Sequence, residues 1–394
     1  MKAIVHIGAP KTGSSSIQAF LTMNTKALRR QGFRIGLDAN TRNSHVDVPI
    51  AALAQIGRLP QSGDSRMRYG APDLPTAKGV LDKVTTDLAA FAGLYPKSTL
   101  IITAEHIMPW LKDVASVKSL DDLLSRYFED LTYVVYLRSP AGMILSAFSE
   151  RIKRGVGVAQ DEFVKQRIAN IDQFADVSRW VTAVGSERFK PRLLETNFLT
   201  NADLIADFAG ICGIKLEGLE TPERMNESLT AEAVEVLSLF NQRVPQIIDV
   251  ATVNPMNRGV MRRVMRHPKS KTPIRLTADQ LAEIATATAE SSEKLRAAYF
   301  PDRPVLYAAA SKAGAEDDRS SILARALEIA VDLVIDVRSG TWGNLDEEDQ
   351  ALATVNRPDD SPSTIPRPVG AKKANRKRLK AAGGRAKATK TVGV

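Results

Sequence analysis

The opening of the chain limits its fold more than any other stretch. An apolar run, Ala3–Ile7, ends in Gly8-Ala9-Pro10-Lys11-Thr12-Gly13-Ser14-Ser15-Ser16, and residues 15–31 then carry apolar side chains at helical spacing, Ile17, Phe20, Leu21 and Leu28. A short buried run, a glycine-containing turn and an amphipathic helix form the arrangement in which backbone N–H groups and a helix N-terminus cradle an anion. Gly8 and Gly13 have the spacing of the nucleotide-binding G-x-x-x-x-G-K-[ST] loop, but Ser14 stands where its lysine belongs, and Lys11 sits inside the turn. A tight strand–helix turn capped by serines is the plainer alternative for the same residues.

Similar apolar, non-alternating runs recur at Thr99–Thr103 (TLIIT) and Tyr133–Leu137 (YVVYL), and a fourth strand is expected over Arg188–Leu194. Between and after them, helical spacing predicts helices over 80–94, 120–128, 141–153, 202–212 and 230–244, with 160–186 helical as well. Thr277 and Gln280 predict a capping box that opens a helix running to about Tyr299. Residues 39–76, rich in Pro, Gly, Asn and Arg, read as a long, partly irregular insertion with a helix-like piece at 50–56. Strands that alternate with helices and are apolar on both sides predict an α/β fold. The expected form is a doubly wound parallel sheet with a P-loop-like phosphate loop, helices on both faces and a disordered basic C-terminal tail.

This reading divides the chain into a main domain over 1–310, a helical extension over 311–355 and the tail over 356–394. In the extension Leu323, Leu327, Val331 and Ile335 form one apolar row, with Ile322, Ala326, Ala330 and Val334 beside it and Arg325, Glu328, Asp332 and Asp336 opposite. Residues 356–394 hold eleven Lys/Arg and two Asp, a surplus that equals the net charge of +9 for the whole chain, so the body is charge-balanced. No aromatic residue interrupts the basic run Lys372–Lys390, which argues against specific nucleic-acid binding and leaves a solvated tail or peripheral contact with an anionic membrane.

A lone cysteine, Cys212, excludes a disulfide framework and cysteine-rich zinc sites, and the four histidines (His6, His45, His106, His267) are scattered, so no catalytic metal is expected. The first apolar run is short, broken by His6 and met at once by Lys11, unlike a signal peptide, and no window reaches 18 apolar residues. A cytoplasmic protein is expected, able to work at the inner face of a membrane.

Two further places carry chemistry. The run Tyr133–Leu137 meets Arg138, Ser139-Pro140 starts a helix, and Ser146 follows about two turns on. A guanidinium presents a planar fork of donors that suits a phosphate, and a serine adds one hydroxyl. Thr99–Thr103 meets Ala104-Glu105-His106, at the carboxyl end of a parallel strand, where residues face a ligand crevice. A surface ion pair for Arg138 and a capping role for Glu105 or His106 are the plainer alternatives.

The motif P-K-T-G-S-S-S resembles the 5′-phosphosulfate loop of sulfotransferases that use 3′-phosphoadenosine-5′-phosphosulfate (PAPS), usually P-K-[ST]-G-[ST]-[ST]. The Arg138 and Ser146 pair in YVVYLRSPAGMILSAFSERIKRG resembles the element with which that family binds the 3′-phosphate. The likeness is to bacterial carbohydrate-type sulfotransferases, including L-R-A-A-Y-F-P-D-R-P-V-L-Y at Leu295–Tyr307 and N-E-S-L at Asn226–Leu229, and covers roughly residues 1–310. The resemblance implies that Lys11, Thr12, Gly13, Ser14, Ser15 and Ser16 hold the 5′-phosphosulfate of PAPS and that Arg138 and Ser146 hold its 3′-phosphate. It implies Lys11 as the cation that stabilises the leaving group, Glu105 as base with His106 as the alternate, and a carbohydrate or glycolipid acceptor. Two other readings stay open. An ATP-dependent kinase or NTPase would need lysine at Ser14's position and an acidic magnesium ligand ending a strand, where Arg138 stands and only Glu105 offers a carboxylate. A non-catalytic anion- or membrane-binding protein would act through the tail.

Overall fold

The computed structural model describes residues 1–9, 11–37, 44–222, 228–244, 255–308 and 319–339. Five strands form one sheet: β1 (Lys2–His6), β2 (Phe33–Ile35), β3 (Thr99–Thr103), β4 (Asp130–Leu137) and β5 (Phe189–Leu193), in the spatial order β2-β3-β1-β4-β5. Every pairing is parallel, with Lys2 level with Thr99 and Asp130, and His6 level with Thr103 and Val134. Parallel neighbours cannot be joined by tight turns, so each connection carries helix across a face of the sheet.

Strand alternation divides the core. Ala3, Val5, Leu100, Ile102, Tyr133 and Val135 face one way, against α3 (Asp47–Gln55), α5 (Leu74–Leu94), α7 (Val114–Ser125) and α10 (Gln173–Val184). Ile4, Ile101, Val134 and Tyr136 face the other way, against α1 (Ser14–Met23), α2 (Thr25–Arg30) and α11 (Leu204–Cys212). Both faces are therefore covered, which is why the strands read as continuous apolar runs. The chain leaves β1 for α1 on the second face, and leaves β3 for α6 (Ile107–Trp110) and α7 on the first. Loops that diverge in this way open a crevice between the C-terminal ends of adjacent strands, here β1 and β3.

The short α4 (Gly63–Arg68) lies in the 39–76 stretch, which is more helical than expected: α3, α4 and the start of α5, capped by Asp73, occupy most of its described part. The helix expected over 15–31 breaks at Asn24. Its buried side chain donates to Phe20 O and Glu220 O, both 2.8 Å, and accepts from Glu220 N at 2.8 Å, so it serves a tertiary contact in place of the helix. The helix expected over 120–128 starts earlier, at Val114, behind a capping box of Asp113 and Ser116. The Thr277/Gln280 box opens α14 (Ala278–Tyr299) as expected.

A third apolar cluster lies off the sheet. It joins α8 (Pro140–Lys153), α9 (Gln160–Ile168), α12 (Ala231–Arg243), α13 (Pro255–Arg266), α14 and α15 (Arg319–Ser339). In α15 the inward residues are Ala326 and Ile329, while Leu327, Val331 and Ile335 of the expected apolar row are exposed. Arg325, expected on the polar side, reaches the buried Glu232 at 2.7 Å. That ion pair turns the helix away from its most apolar row. No described helix is long and apolar enough to cross a membrane. The basic run Lys372–Lys390, and with it the whole of 356–394, lies outside the described residues.

Candidate functional site

The turn after β1 is shaped by backbone. Gly8 has φ +28, and a Cβ there would lie 2.6 Å from Glu105 Cα and 2.8 Å from Ala104 O. Only glycine lets this main chain press against the turn after β3. Two hydrogen bonds stitch the same contact: Ala104 N–H donates to His6 O (3.3 Å) and Met108 N–H to Ile7 O (3.2 Å). Lys11 (φ +65) and Gly13 (φ +84) are both left-handed, and Gly13 enters α1 with no side-chain cap. Consequently the amides of Lys11 to Ser15 have no hydrogen-bond acceptor among the described residues. Ser14 Oγ is buried with no partner, which calls for a ligand atom or water. These groups stand at the positive end of α1. Thr12 differs from the expectation in one respect: its hydroxyl is buried and donates to Ala9 O (2.7 Å), bracing the loop, so only its main chain is available. Ser15 is exposed and Ser16 half-buried.

His6 lies beneath this turn, fully buried. Its Nδ1 is 2.9 Å from Thr103 Oγ1, its Nε2 has no partner, and its ring packs edge-on to Tyr136 and Phe208. Burial lowers its pKa to about 4, so the imidazole is neutral at neutral pH.

The turn after β4 offers a side chain instead. Ser139 caps α8 by accepting from Gly142 N (3.3 Å), and Pro140 occupies the first turn. Arg138 folds back so that Nη1 reaches Lys11 O at 3.5 Å, and it has no carboxylate partner among the described residues. Burial depresses its pKa, as expected for a poorly solvated cation. A Cβ on Gly142 would lie 2.8 Å from Arg138 Nε, so this glycine leaves room for the guanidinium. Gln173 Nε2 donates to Arg138 O at 2.9 Å, and Gln173 Oε1 accepts from Tyr307 Oη at 2.7 Å. Ser146, half-buried on α8, has no hydrogen bond to its hydroxyl among the described residues.

Sequence reasoning missed Glu150. It follows Ser146 by four residues, so Gly142, Ser146 and Glu150 share one face of α8. Its Oε2 lies 3.0 Å from Lys11 Nζ and its Oε1 3.0 Å from Arg154 Nε. Burial alone would raise its pKa, but Lys11 and Arg154 outweigh that and hold it below the usual carboxylate range. The four-residue interval from Ser146 is the signal that was available.

Across the crevice, Glu105 is half exposed, with Oε1 3.8 Å from His106 Nε2. His106 clusters with Tyr69 and Trp110, whose ring centroids each lie 4.6 Å from its own and 5.7 Å from each other, and its Nδ1 is buried without a partner among the described residues. Burial is the main cause that lowers its pKa; Glu105 opposes this, and Arg68 and Arg154 add to it. The structure thus joins the loop, Arg138 and Glu150 by direct contact and brings Glu105 to the loop through Gly8. Among the described residues no hydrogen bond links Ser146 to any of them.

No protein-family model and no curated protein matches the chain. Among solved structures, a sulfotransferase from Alicyclobacillus acidocaldarius is similar, with a TM-score of 0.39 and 13% identity over 75% of this chain and 95% of that chain. A likeness at that level assigns no activity to this chain.

Proposed function

We propose that the chain is a sulfotransferase that moves the sulfuryl group of PAPS to a hydroxyl or amine of a carbohydrate or glycolipid acceptor. One observation carries this reading. A lysine-bearing turn, whose five amides and one serine hydroxyl have no partner among the described residues, lies within 3.5 Å of a desolvated guanidinium that has no acid partner among them either. Two adjoining anion clamps, one of backbone and one of side chain, suit a ligand with phosphate groups at both ends. The residue set fits such a donor: amides and Lys11 for the phosphosulfate, Arg138 and Ser146 for the 3′-phosphate.

The donor supplies an electrophilic sulfur on a good leaving group. Glu105 takes the proton from the acceptor hydroxyl or amine as its oxygen or nitrogen bonds to sulfur. The bond from sulfur to the bridging oxygen breaks, and Lys11 with the α1 amides receives the charge that builds on the departing phosphate. His106, held neutral by burial, is the alternate base. Tyr69 comes from the 39–76 insertion and, with His106 and Trp110, forms an aromatic wall beside Glu105. Mostly apolar rings with a few convergent polar groups are what a saccharide acceptor calls for.

Calorimetric titration of PAP and of ATP, each with and without magnesium, tests the reading. Tight, magnesium-independent PAP binding is the expected result, followed by transfer of label from PAPS to a glycan. Magnesium-dependent ATP binding with no affinity for PAP would favour the kinase alternative.

A further inference from the structure

Lys11 is the only cation in residues 8–16. It does not point into open crevice. Its ammonium is 3.0 Å from a carboxylate on α8, and that carboxylate is divided between Lys11 and Arg154. The Lys11 and Glu150 side chains are 28% and 32% exposed, so water weakens the pair. A carboxylate in that position also works against any anion that Lys11 would bind.

We propose that Glu150 is a placeholder for the donor's anion: in the free enzyme it holds the Lys11 ammonium, and the incoming 5′-phosphosulfate takes its place. The inference rests on the donor reading and adds to it a residue that lowers the affinity of the site. Three features support it. Glu150 lies on the α8 face that carries Ser146 and Gly142, the glycine that leaves room for the Arg138 guanidinium. Arg154 gives the displaced carboxylate a second cation to stay on. A ligand with two negative charges and access to the amides of the turn outcompetes one half-solvated carboxylate. After transfer, the returning carboxylate competes with the bound product and hastens its release.

The experiment is calorimetric titration of PAP into the full-length protein: wild type, Glu150→Gln, Glu150→Ala, Lys11→Ala and Lys11→Ala/Glu150→Gln, with thermal melts to verify folding. The expected result is PAP binding roughly fivefold tighter in both Glu150 variants. Because Glu150 acts through Lys11, the gain disappears in the Lys11→Ala background. Unchanged or weaker binding in the Glu150 variants overturns the inference, as does an equal gain when Lys11 is absent, which would mean a general charge effect. Wild-type protein that fails to bind PAP overturns the donor reading itself. Wild-type binding with no response to Glu150 removes only the placeholder.

Discussion

The turns after β1 and after β4 do the same topological job, carrying a parallel strand into a helix, and do it in opposite ways. The first leaves its helix uncapped, bends through left-handed residues and exposes a row of amides. The second closes its helix with Ser139 and Pro140 and presents one arginine. A helix start whose donors are already satisfied has only side chains left to offer. Backbone amides recognise charge and shape at a fixed place, whereas a guanidinium adds reach and can be removed by one substitution.

The largest expected effect breaks the first turn's chemistry: Lys11→Ala lowers the turnover of labelled sulfuryl transfer by roughly 10³-fold. Next comes a test of what each turn requires of its glycine. Gly8→Ala puts a methyl group into the backbone at Glu105 in a left-handed conformation and costs ~2–4 kcal/mol in urea-melt stability. Gly142→Ala leaves stability nearly unchanged but pushes Arg138 aside, and PAP affinity falls several-fold.

The support beneath the first turn is sensitive to acid. His6 has its pKa lowered in the folded chain, so the unfolded chain takes up the proton first as pH falls. The stability it confers is complete above about 6.5 and is lost as pH falls through about 4, amounting to ~3 kcal/mol at full extent. Urea midpoints measured across that window should fall, and fall less in His6→Gln. One more substitution sharpens the contrast between the two turns. Arg138→Ala weakens PAP roughly tenfold but leaves adenosine 5′-phosphosulfate, which lacks the 3′-phosphate, unchanged. Equal losses for both ligands would mean that the two turns do not hold separate phosphates.

Much of this arrangement was readable beforehand because it is local. The turn after β1, the bounds of β3 and the α14 capping box each follow from contiguous residues. β2 was missed because it has three residues and carries Arg34, whose guanidinium lies 3.6 Å from the Tyr95 ring centroid and so belongs in a strand for tertiary reasons. The facing of α15 depended on Glu232, an ion pair that periodicity does not register. In the candidate site, Lys11 and Arg138 stood out by motif. Glu150 and the grouping of Tyr69 with His106 and Trp110 arise only when distant segments fold together.

The abutment of Gly8 on Glu105 has a consequence for how such a site can change. Neither partner in that contact is a rotamer; the spacing between the turn after β1 and the main chain of Glu105 is set by one sheet's own geometry, like marks on a ruler. On the proposed reading, remodelling the aromatic wall of Tyr69, His106 and Trp110 changes the acceptor while that interval stays untouched, so a new specificity leaves the spacing as it was.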